Sequence, residues 1–115
     1  LTAFEIEANG DLSSRRNYAT LPDGAVPDGI CLDEEGAVWC ASPTTNEFIR
    51  VREGGEVAER IASGDRPAIA CMLGGEDRRT LYLITAPTAS IAKSIPLSAG
   101  RIEAIRVAVA GAGLP

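Results

Sequence analysis

Short apolar runs separated by turn residues make up most of the chain. The clearest pair is residues 30–32 and 37–41, which the acidic turn 33–36 joins. Two short apolar runs joined by a glycine-containing loop predict a β-hairpin. Both runs are nearly continuous rather than alternating, so we expect both faces of these strands to be buried in a stacked or closed array of sheets. Asp28 would lie at the mouth of that array, where the first strand begins.

The same pattern of runs and turns predicts the remaining elements. An Asn-Gly turn follows the first strand, and Ile49 and Val51 should face away from Phe48 in a later strand. Residues 87–100 are rich in Pro, Ser, Thr and Ala and predict a long loop or insertion, which either covers a substrate or has no special role. No segment has a helical period of useful length. We expect further strands over residues 1–7, 12–21, 48–52, 57–61, 68–73, 81–86 and 101–109, and a tail over residues 110–115.

The pattern also repeats along the chain. A shift of 45 residues lays residues 4–15 on residues 49–60, and a shift of 40 lays Cys31 on Cys71. A unit of four short strands that recurs every ~40–45 residues is typical of β-propeller blades. The sequence therefore predicts an all-β fold of four-stranded antiparallel meanders.

About two and a half blades would fit in the chain, as a single partial propeller domain over residues 1–115. Residues 1–21 would form the outer half of one blade and residues 28–61 a full blade. Residues 68–109 would form the last blade, with the loop 87–100 inside it. A propeller needs at least about four blades to close. We therefore expect the chain to self-associate or to be completed by missing N-terminal blades, as its start at a leucine also suggests.

Composition excludes several functions. The chain has 115 residues, 45% of them apolar, which is enough for one core, and a net charge of −5. That charge argues against nucleic acid and anionic membranes as partners, because both require a basic patch. No apolar run approaches the roughly 18 residues of a spanning helix, and no signal peptide is recognisable. The absence of histidine excludes Ser-His-Asp and Cys-His catalysis and His-ligated zinc.

The cysteines and large aromatic residues lie in apolar, strand-like runs. An odd number of cysteines (Cys31, Cys40 and Cys71) without framework spacing predicts reduced, buried thiols and a cytoplasmic protein. Cys31 and Cys71 have no base partner, which favours small core residues over nucleophiles. A shift of 43 residues lays Trp39 on Tyr82, and we expect both to pack between blades.

One stretch resembles a known family. Residues 26–33 are Val-Pro-Asp-Gly-Ile-Cys-Leu-Asp, and residues 35–39 are Glu-Gly-Ala-Val-Trp. Together they resemble the family of senescence marker protein, gluconolactonase and luciferin-regenerating enzyme. The resemblance extends over most of the chain and is weakest at residues 87–100. It implies a six-bladed propeller that binds a divalent cation on its central axis and hydrolyses lactones. Other stretches that agree with the family are residues 12–16, 66–75 and 80–82.

The resemblance implies one site residue in this chain, Asp28. The family's Asp in a Pro-Asp-Gly-X-Cys pattern is both a metal ligand and the proposed catalytic base that activates water, and Asp28 matches it. The family's Glu and Asn ligands match nothing here, since Asn9, Asn17 and Asn46 fall in predicted turns or outer strands. One carboxylate offers at most two of the roughly 6–8 oxygens that Ca²⁺ takes. The divalent cation, Ca²⁺ or Zn²⁺/Mn²⁺, is therefore expected only in the complete propeller.

Two functions remain open. The first is the C-terminal part of a metal-dependent lactone (ester) hydrolase of the gluconolactonase type, which acts on a small-molecule lactone and is inactive as an isolated chain. The second is a non-catalytic, truncated β-propeller module that self-associates or binds a partner. Asp23 lies in a second Pro-Asp-Gly and is predicted to be only a turn residue. The acidic residues 33–35 could suggest a cation site, but the pattern favours a solvated hairpin turn.

Overall fold

The computed structural model describes residues 1–113, which form nine strands and one short helix in three antiparallel sheets. The first sheet is β1–β2, the second β3–β4–β5–β6, and the third β7–β8–β9, each in chain order. The predicted all-β architecture of antiparallel meanders is confirmed. The elements are β1 (Thr2–Ile6), β2 (Leu12–Asn17), β3 (Ile30–Leu32), β4 (Val38–Ser42), β5 (Glu47–Val51), β6 (Val57–Ala62), β7 (Ala68–Gly74), β8 (Thr80–Thr85), α1 (Ile91–Leu97) and β9 (Arg101–Arg106).

The predicted central hairpin is β3–β4. Ile30 pairs with Cys40 and Leu32 with Val38, and every residue of β4 is buried. Ile30 and Leu32, however, are 51% and 50% exposed, so the expectation that both faces of β3 are buried is wrong. The physical reason is that the first sheet has only two strands, which leaves an open groove beside β3.

The core consists of two apolar clusters on opposite faces of the second sheet. One cluster packs Trp39 and Phe48 against the third sheet, through residues such as Leu81. The other packs Ile49 and Val51 against residues that follow the first sheet. The predicted alternation of Phe48 with Ile49 and Val51 is confirmed. The second sheet is therefore the middle layer, with one core cluster on each of its faces.

Trp39 and Tyr82 have different surroundings, contrary to the shift of 43 residues that equated them. Trp39 is fully buried between the second and third sheets, whereas Tyr82 is 37% exposed and belongs to neither core cluster. The register explains the difference, because Cys31 pairs with Trp39 and Cys71 pairs with Leu83. Leu83 is the counterpart of Trp39. Tyr82 does not pack between the described sheets, and its packing against a further blade stays a prediction.

Residues 87–100 contain a helix rather than loop alone. Helix α1 has no buried residue, includes Pro96 in its last turn, and ends where Ser98 adopts a left-handed conformation with φ 45°. Seven residues make about two turns, which is too short for a hydrophobic period to be visible in the sequence. Among the described residues, no helix has the length and apolarity needed to cross a membrane.

Residues 110–112 of the predicted tail pack along the chain at β3. The backbone of Gly111 bridges to Asp33, and the Ala112 N–H donates to the Leu32 carbonyl at 3.0 Å. This segment covers the edge of β3 that β4 does not use. Residues 114–115 of the predicted tail lie outside the described residues.

The inner strands β3 and β7 approach each other most closely at Gly29. The Gly29 N–H donates to the Ile69 carbonyl at 2.9 Å, and a Cβ placed on Gly29 would lie 2.5 Å from the Ala70 Cα. No side chain fits between two backbones at that distance. Glycine is therefore required here for close approach of the sheets.

We expect Gly29→Ala to lower the free energy of unfolding by about 1–3 kcal/mol, because the new methyl group overpacks a rigid backbone contact. Gly100→Ala is a matched control, since a Cβ there would meet only the Thr85 carbonyl at 3.8 Å. Urea unfolding followed by circular dichroism measures both variants. Equal midpoints for the two substitutions would contradict this account of Gly29.

Candidate functional site

Asp28 lies at the corner that leads into β3. Its backbone N–H donates to the Ala41 carbonyl at 2.9 Å, which ties the corner to β4. Its side chain is exposed, and within residues 1–113 the carboxylate takes part in no hydrogen bond or ion pair. The structure thus places Asp28 just before β3, the first strand of the central hairpin, with a carboxylate that no described residue engages.

Asp23 has the same neighbours in sequence but a different environment. It adopts a left-handed conformation with φ 58° in its turn. Its carboxylate accepts a hydrogen bond from the Arg60 guanidinium at 2.8 Å, and Arg60 also pairs with Glu47. The Asp23 carboxylate is therefore engaged in an exposed ion pair that links its turn to β6. The two Pro-Asp-Gly corners are distinguished by their partners, not by their local chemistry.

The described residues do not by themselves fit a cation site. They include no group of three or more Cys, Asp or Glu side chains placed to hold a metal ion. The asparagine side chains Asn9 and Asn17 make local, exposed hydrogen bonds to Asp11 and Thr20. A hard cation takes about 6–8 oxygen ligands. Asp28 could contribute one carboxylate, and the remaining ligands would have to come from outside this part of the chain.

The acidic turn after β3 is an internal ion-pair network. Asp33 is 1% exposed, so the prediction that it belongs to a solvated turn is wrong. One carboxylate oxygen accepts the N–H groups of Glu35 and Ala37, and the other accepts a hydrogen bond from Arg50 Nε at 2.6 Å. Arg50 also donates to Glu35 at 2.8 Å. The network stabilises the hairpin, and the buried charge of Asp33 is balanced by Arg50.

Arg50 and its partner Asp33 are both buried, whereas the side chain of its other acidic partner, Glu35, is 55% exposed. Burial by itself lowers the pKa of Arg50, but the hydrogen bonds to Asp33 and Glu35 raise that pKa above its ordinary value. The guanidinium is therefore permanently charged, and it neutralises the only carboxylate that is buried among the described residues. This ion pair was hard to predict from the sequence, because Asp33 and Arg50 are 17 positions apart.

The three cysteines are free and buried, as predicted. Cys31 and Cys71 lie on neighbouring inner strands with their Sγ atoms 4.0 Å apart. Cys40 faces the other core cluster, and burial raises the pKa of its thiol to about 11. The sequence analysis did not pair Cys31 with Cys71. The shift of 40 residues that superposes them was the available signal, because equivalent inner strands of adjacent sheets lie side by side.

An apolar groove of about 530 Å³ opens between the ends of β3 and β7. Within residues 1–113, Cys31 is the only titratable side chain that lines it, and Asp28 does not. The groove is therefore an apolar surface between the two sheets. The exposed apolar side chains along it are Ile30, Leu32 and Met72.

Comparison with known proteins gives consistent similarities. The model of the SMP-30/gluconolactonase/LRE-like region matches residues 1–87. Regucalcin of Danio rerio is 33% identical over 94 positions, which cover 73% of this chain and 31% of that protein. The 6-deoxy-6-sulfogluconolactonase of Pseudomonas putida is 34% identical over 121 positions, which cover 100% of this chain and 41% of that enzyme. The chain therefore spans well under half the length of these relatives.

A solved structure of luciferin-regenerating enzyme shares the fold. It superposes with a TM-score of 0.75 at 21% sequence identity, covering 96% of this chain and 39% of that one. At this identity the likeness concerns the fold alone. The three sheets are accordingly of the β-propeller type.

Proposed function

Because the chain belongs to the SMP-30/gluconolactonase/LRE-like family, we propose that it is the C-terminal part of a metal-dependent lactone hydrolase of the gluconolactonase type. The observation that carries the proposal is the free carboxylate of Asp28 at the start of the inner strand β3, in the family's Pro-Asp-Gly-X-Cys pattern. The similarity to a sulfogluconolactonase along the whole chain supports a lactone as the substrate class. The isolated chain is inactive in this proposal, because it contributes only one residue to the site.

Asp28 would act as the general base. Its exposed carboxylate would accept a proton from the water that attacks the lactone carbonyl, and ring opening then gives the hydroxy acid. The hydrogen bond from its backbone to Ala41 keeps the corner fixed during this transfer. A divalent cation, Ca²⁺ or Zn²⁺/Mn²⁺, would bind only in the complete propeller. This chain's single contribution to that cation would be Asp28.

The test is Asp28→Asn in the complete propeller, assayed with an aldonolactone and added Ca²⁺, Zn²⁺ or Mn²⁺. Asparagine keeps the shape and removes the basicity, so we expect kcat to fall by roughly 10²–10⁴-fold with little change in stability. Asp23→Asn is the matched control. It removes one exposed ion pair, with Arg60, and should leave activity nearly unchanged. If the two substitutions behave alike, Asp28 is only a turn residue.

The exposed apolar side chains support a further part of the proposal, which is that other blades cover β3, β7 and β9. Ile30, Leu32 and Met72 are about half exposed beside the groove. All residues of β9 are exposed at the edge of the third sheet, and no other strand among the described residues pairs with that edge. In the 115-residue chain alone, a second copy takes the place of those blades. This is the non-catalytic module that remains the alternative function.

We therefore expect the isolated chain to sediment as a species larger than its monomer mass of 12.0 kDa. Met72→Asp combined with Leu32→Asp should shift it towards the monomer, because charges in the apolar groove oppose burial. Ile91→Asp is the control, since Ile91 is exposed on α1 and does not line the groove. A monomer at all concentrations in the unsubstituted chain contradicts this prediction.

The free thiols also support a reducing, cytoplasmic location as part of the proposal.

A further inference from the structure

We propose that Cys31 and Cys71 form a redox-modification site, a dithiol that a peroxide converts to a disulfide joining the second sheet to the third. The inference concerns this chain alone and does not depend on the lactonase proposal. It begins from the position of the two thiols on adjacent inner strands, β3 and β7. Their Sγ atoms are 4.0 Å apart and are separated by 40 residues in sequence.

The backbones that lead into the two thiols are in contact. A disulfide needs Cα atoms roughly 4.4–6.8 Å apart and an S–S bond of about 2.0 Å. Two residues before Cys31, the Gly29 N–H donates to the Ile69 carbonyl at 2.9 Å, and the Gly29 Cβ position lies 2.5 Å from the Ala70 Cα. The two strands are thus in backbone contact beside the thiols. The two sulfur atoms, now 4.0 Å apart, have to approach by about 2 Å to form the bond.

The two thiols are not equivalent, and Cys31 is the more exposed of the two. Cys31 lines the apolar groove and is 9% exposed, whereas Cys71 is 4% exposed and its Sγ lies 3.6 Å from the Gly29 carbonyl. The hydrogen bond with Cys71 lowers the pKa of Cys31, and the same contact raises the pKa of Cys71. One thiol therefore stabilises the thiolate of the other. The thiolate is the form that reacts with peroxide.

The reaction has two steps. The Cys31 thiolate attacks one oxygen of hydrogen peroxide, the O–O bond breaks, and Cys31 becomes a sulfenic acid while hydroxide leaves. Cys71, once deprotonated, attacks the Cys31 sulfur, and the S–O bond breaks with loss of a second hydroxide. The two thiol protons convert both hydroxides to water. Two thiols are oxidised to one disulfide, and one peroxide is reduced to two waters.

Oxidation of Cys31 also removes the obstacle to the second step. The pKa of Cys71 is raised chiefly by its hydrogen bond to Cys31. A sulfenic acid at position 31 carries no negative charge, so Cys71 can ionise more readily.

Cys40 offers a natural comparison within the chain. It is fully buried in the other core cluster, where burial raises the pKa of its thiol to about 11.

The experiment treats the purified 115-residue chain with hydrogen peroxide and counts thiols after denaturation. We expect the count to fall from three to one, with an intact mass lower by two hydrogens and a cross-linked peptide that contains Cys31 and Cys71. The linked protein should melt at a temperature higher by on the order of 10 °C, since the bond closes a long loop. Reductant should restore three thiols and the original melting temperature.

Single substitutions give the direction of the reaction. Cys71→Ser should leave Cys31 as a sulfenic acid that dimedone labels, whereas Cys31→Ser should leave Cys71 unlabelled at the same peroxide concentration. Cys40→Ser is the control and should form the disulfide as the unsubstituted chain does. Retention of all three thiols in the folded protein overturns the proposal. So does a cross-link that includes Cys40, or one that joins two chains instead of Cys31 to Cys71.

Discussion

Arg50→Met should lower the free energy of unfolding by about 3–5 kcal/mol, the typical cost of removing one partner from a buried ion pair. The side chains of Arg50 and Asp33 are 4% and 0% exposed, so the Asp33 carboxylate would be left buried without a counter-charge. Methionine preserves most of the length of the arginine side chain, so the loss reports charge more than volume. Urea unfolding followed by circular dichroism measures it.

Arg52→Met is the control for Arg50→Met. Arg52 pairs with Glu56 at 2.9 Å, but both side chains are about half exposed, and such pairs are worth about 0–1 kcal/mol. A second test adds Asp33→Asn to Arg50→Met. Asparagine retains the oxygen that accepts the N–H groups of Glu35 and Ala37, and it removes the orphaned charge. The double variant should be more stable than Arg50→Met alone, and a further loss of stability would refute the ion-pair account.

Much of the fold follows from local sequence patterns. Antiparallel meanders are built from neighbours in sequence, so apolar runs and glycine-containing turns are enough to pair β3 with β4 and β4 with β5. The exposure of Ile30 and Leu32 was not predictable in the same way. An apolar strand carries the side chains for both of its faces, whether or not a neighbouring sheet covers them. The division of the chain into blades of a six-bladed ring stays a prediction.

The candidate site, unlike the fold, does not follow from local sequence patterns. Asp23 and Asp28 occupy identical tripeptides, and only distant residues separate their roles. Arg60, which lies 37 positions away, engages Asp23, whereas no described residue engages the carboxylate of Asp28. The resemblance to a family selected Asp28, and the geometry is compatible with that selection. The catalytic and metal-binding roles of Asp28 stay predictions until the complete propeller is assayed.

The acidic turn and the thiol pair were missed for a related reason. Three consecutive acidic residues suggest a solvated turn, and only the position of Arg50 on β5 reveals that Asp33 points inward. Cys31 and Cys71 come together because two sheets stack with equivalent strands side by side. Both features depend on contacts between elements, which a local pattern does not contain. Internal repeats are the one sequence signal that reports such contacts, because superposed positions occupy corresponding places in adjacent sheets.

Trp39→Ala should lower the free energy of unfolding by about 3–5 kcal/mol. The substitution removes the largest side chain buried between the second and third sheets and leaves a cavity there. Tyr82→Ala should cost clearly less, since Tyr82 is 37% exposed and lies outside both core clusters. Urea midpoints measured by circular dichroism compare the two variants without relying on tryptophan fluorescence, which Trp39 alone supplies.

Trp39→Phe separates packing from polarity at the same position. The Nε1–H of Trp39 is buried and has no hydrogen-bond partner among the described residues, so tryptophan carries a desolvation cost there. Phenylalanine fills most of the space and has no such donor. We therefore expect Trp39→Phe to cost much less than Trp39→Ala. If the two variants are equally destabilised, the contribution of Trp39 lies in a contact of its indole nitrogen rather than in the volume that it fills.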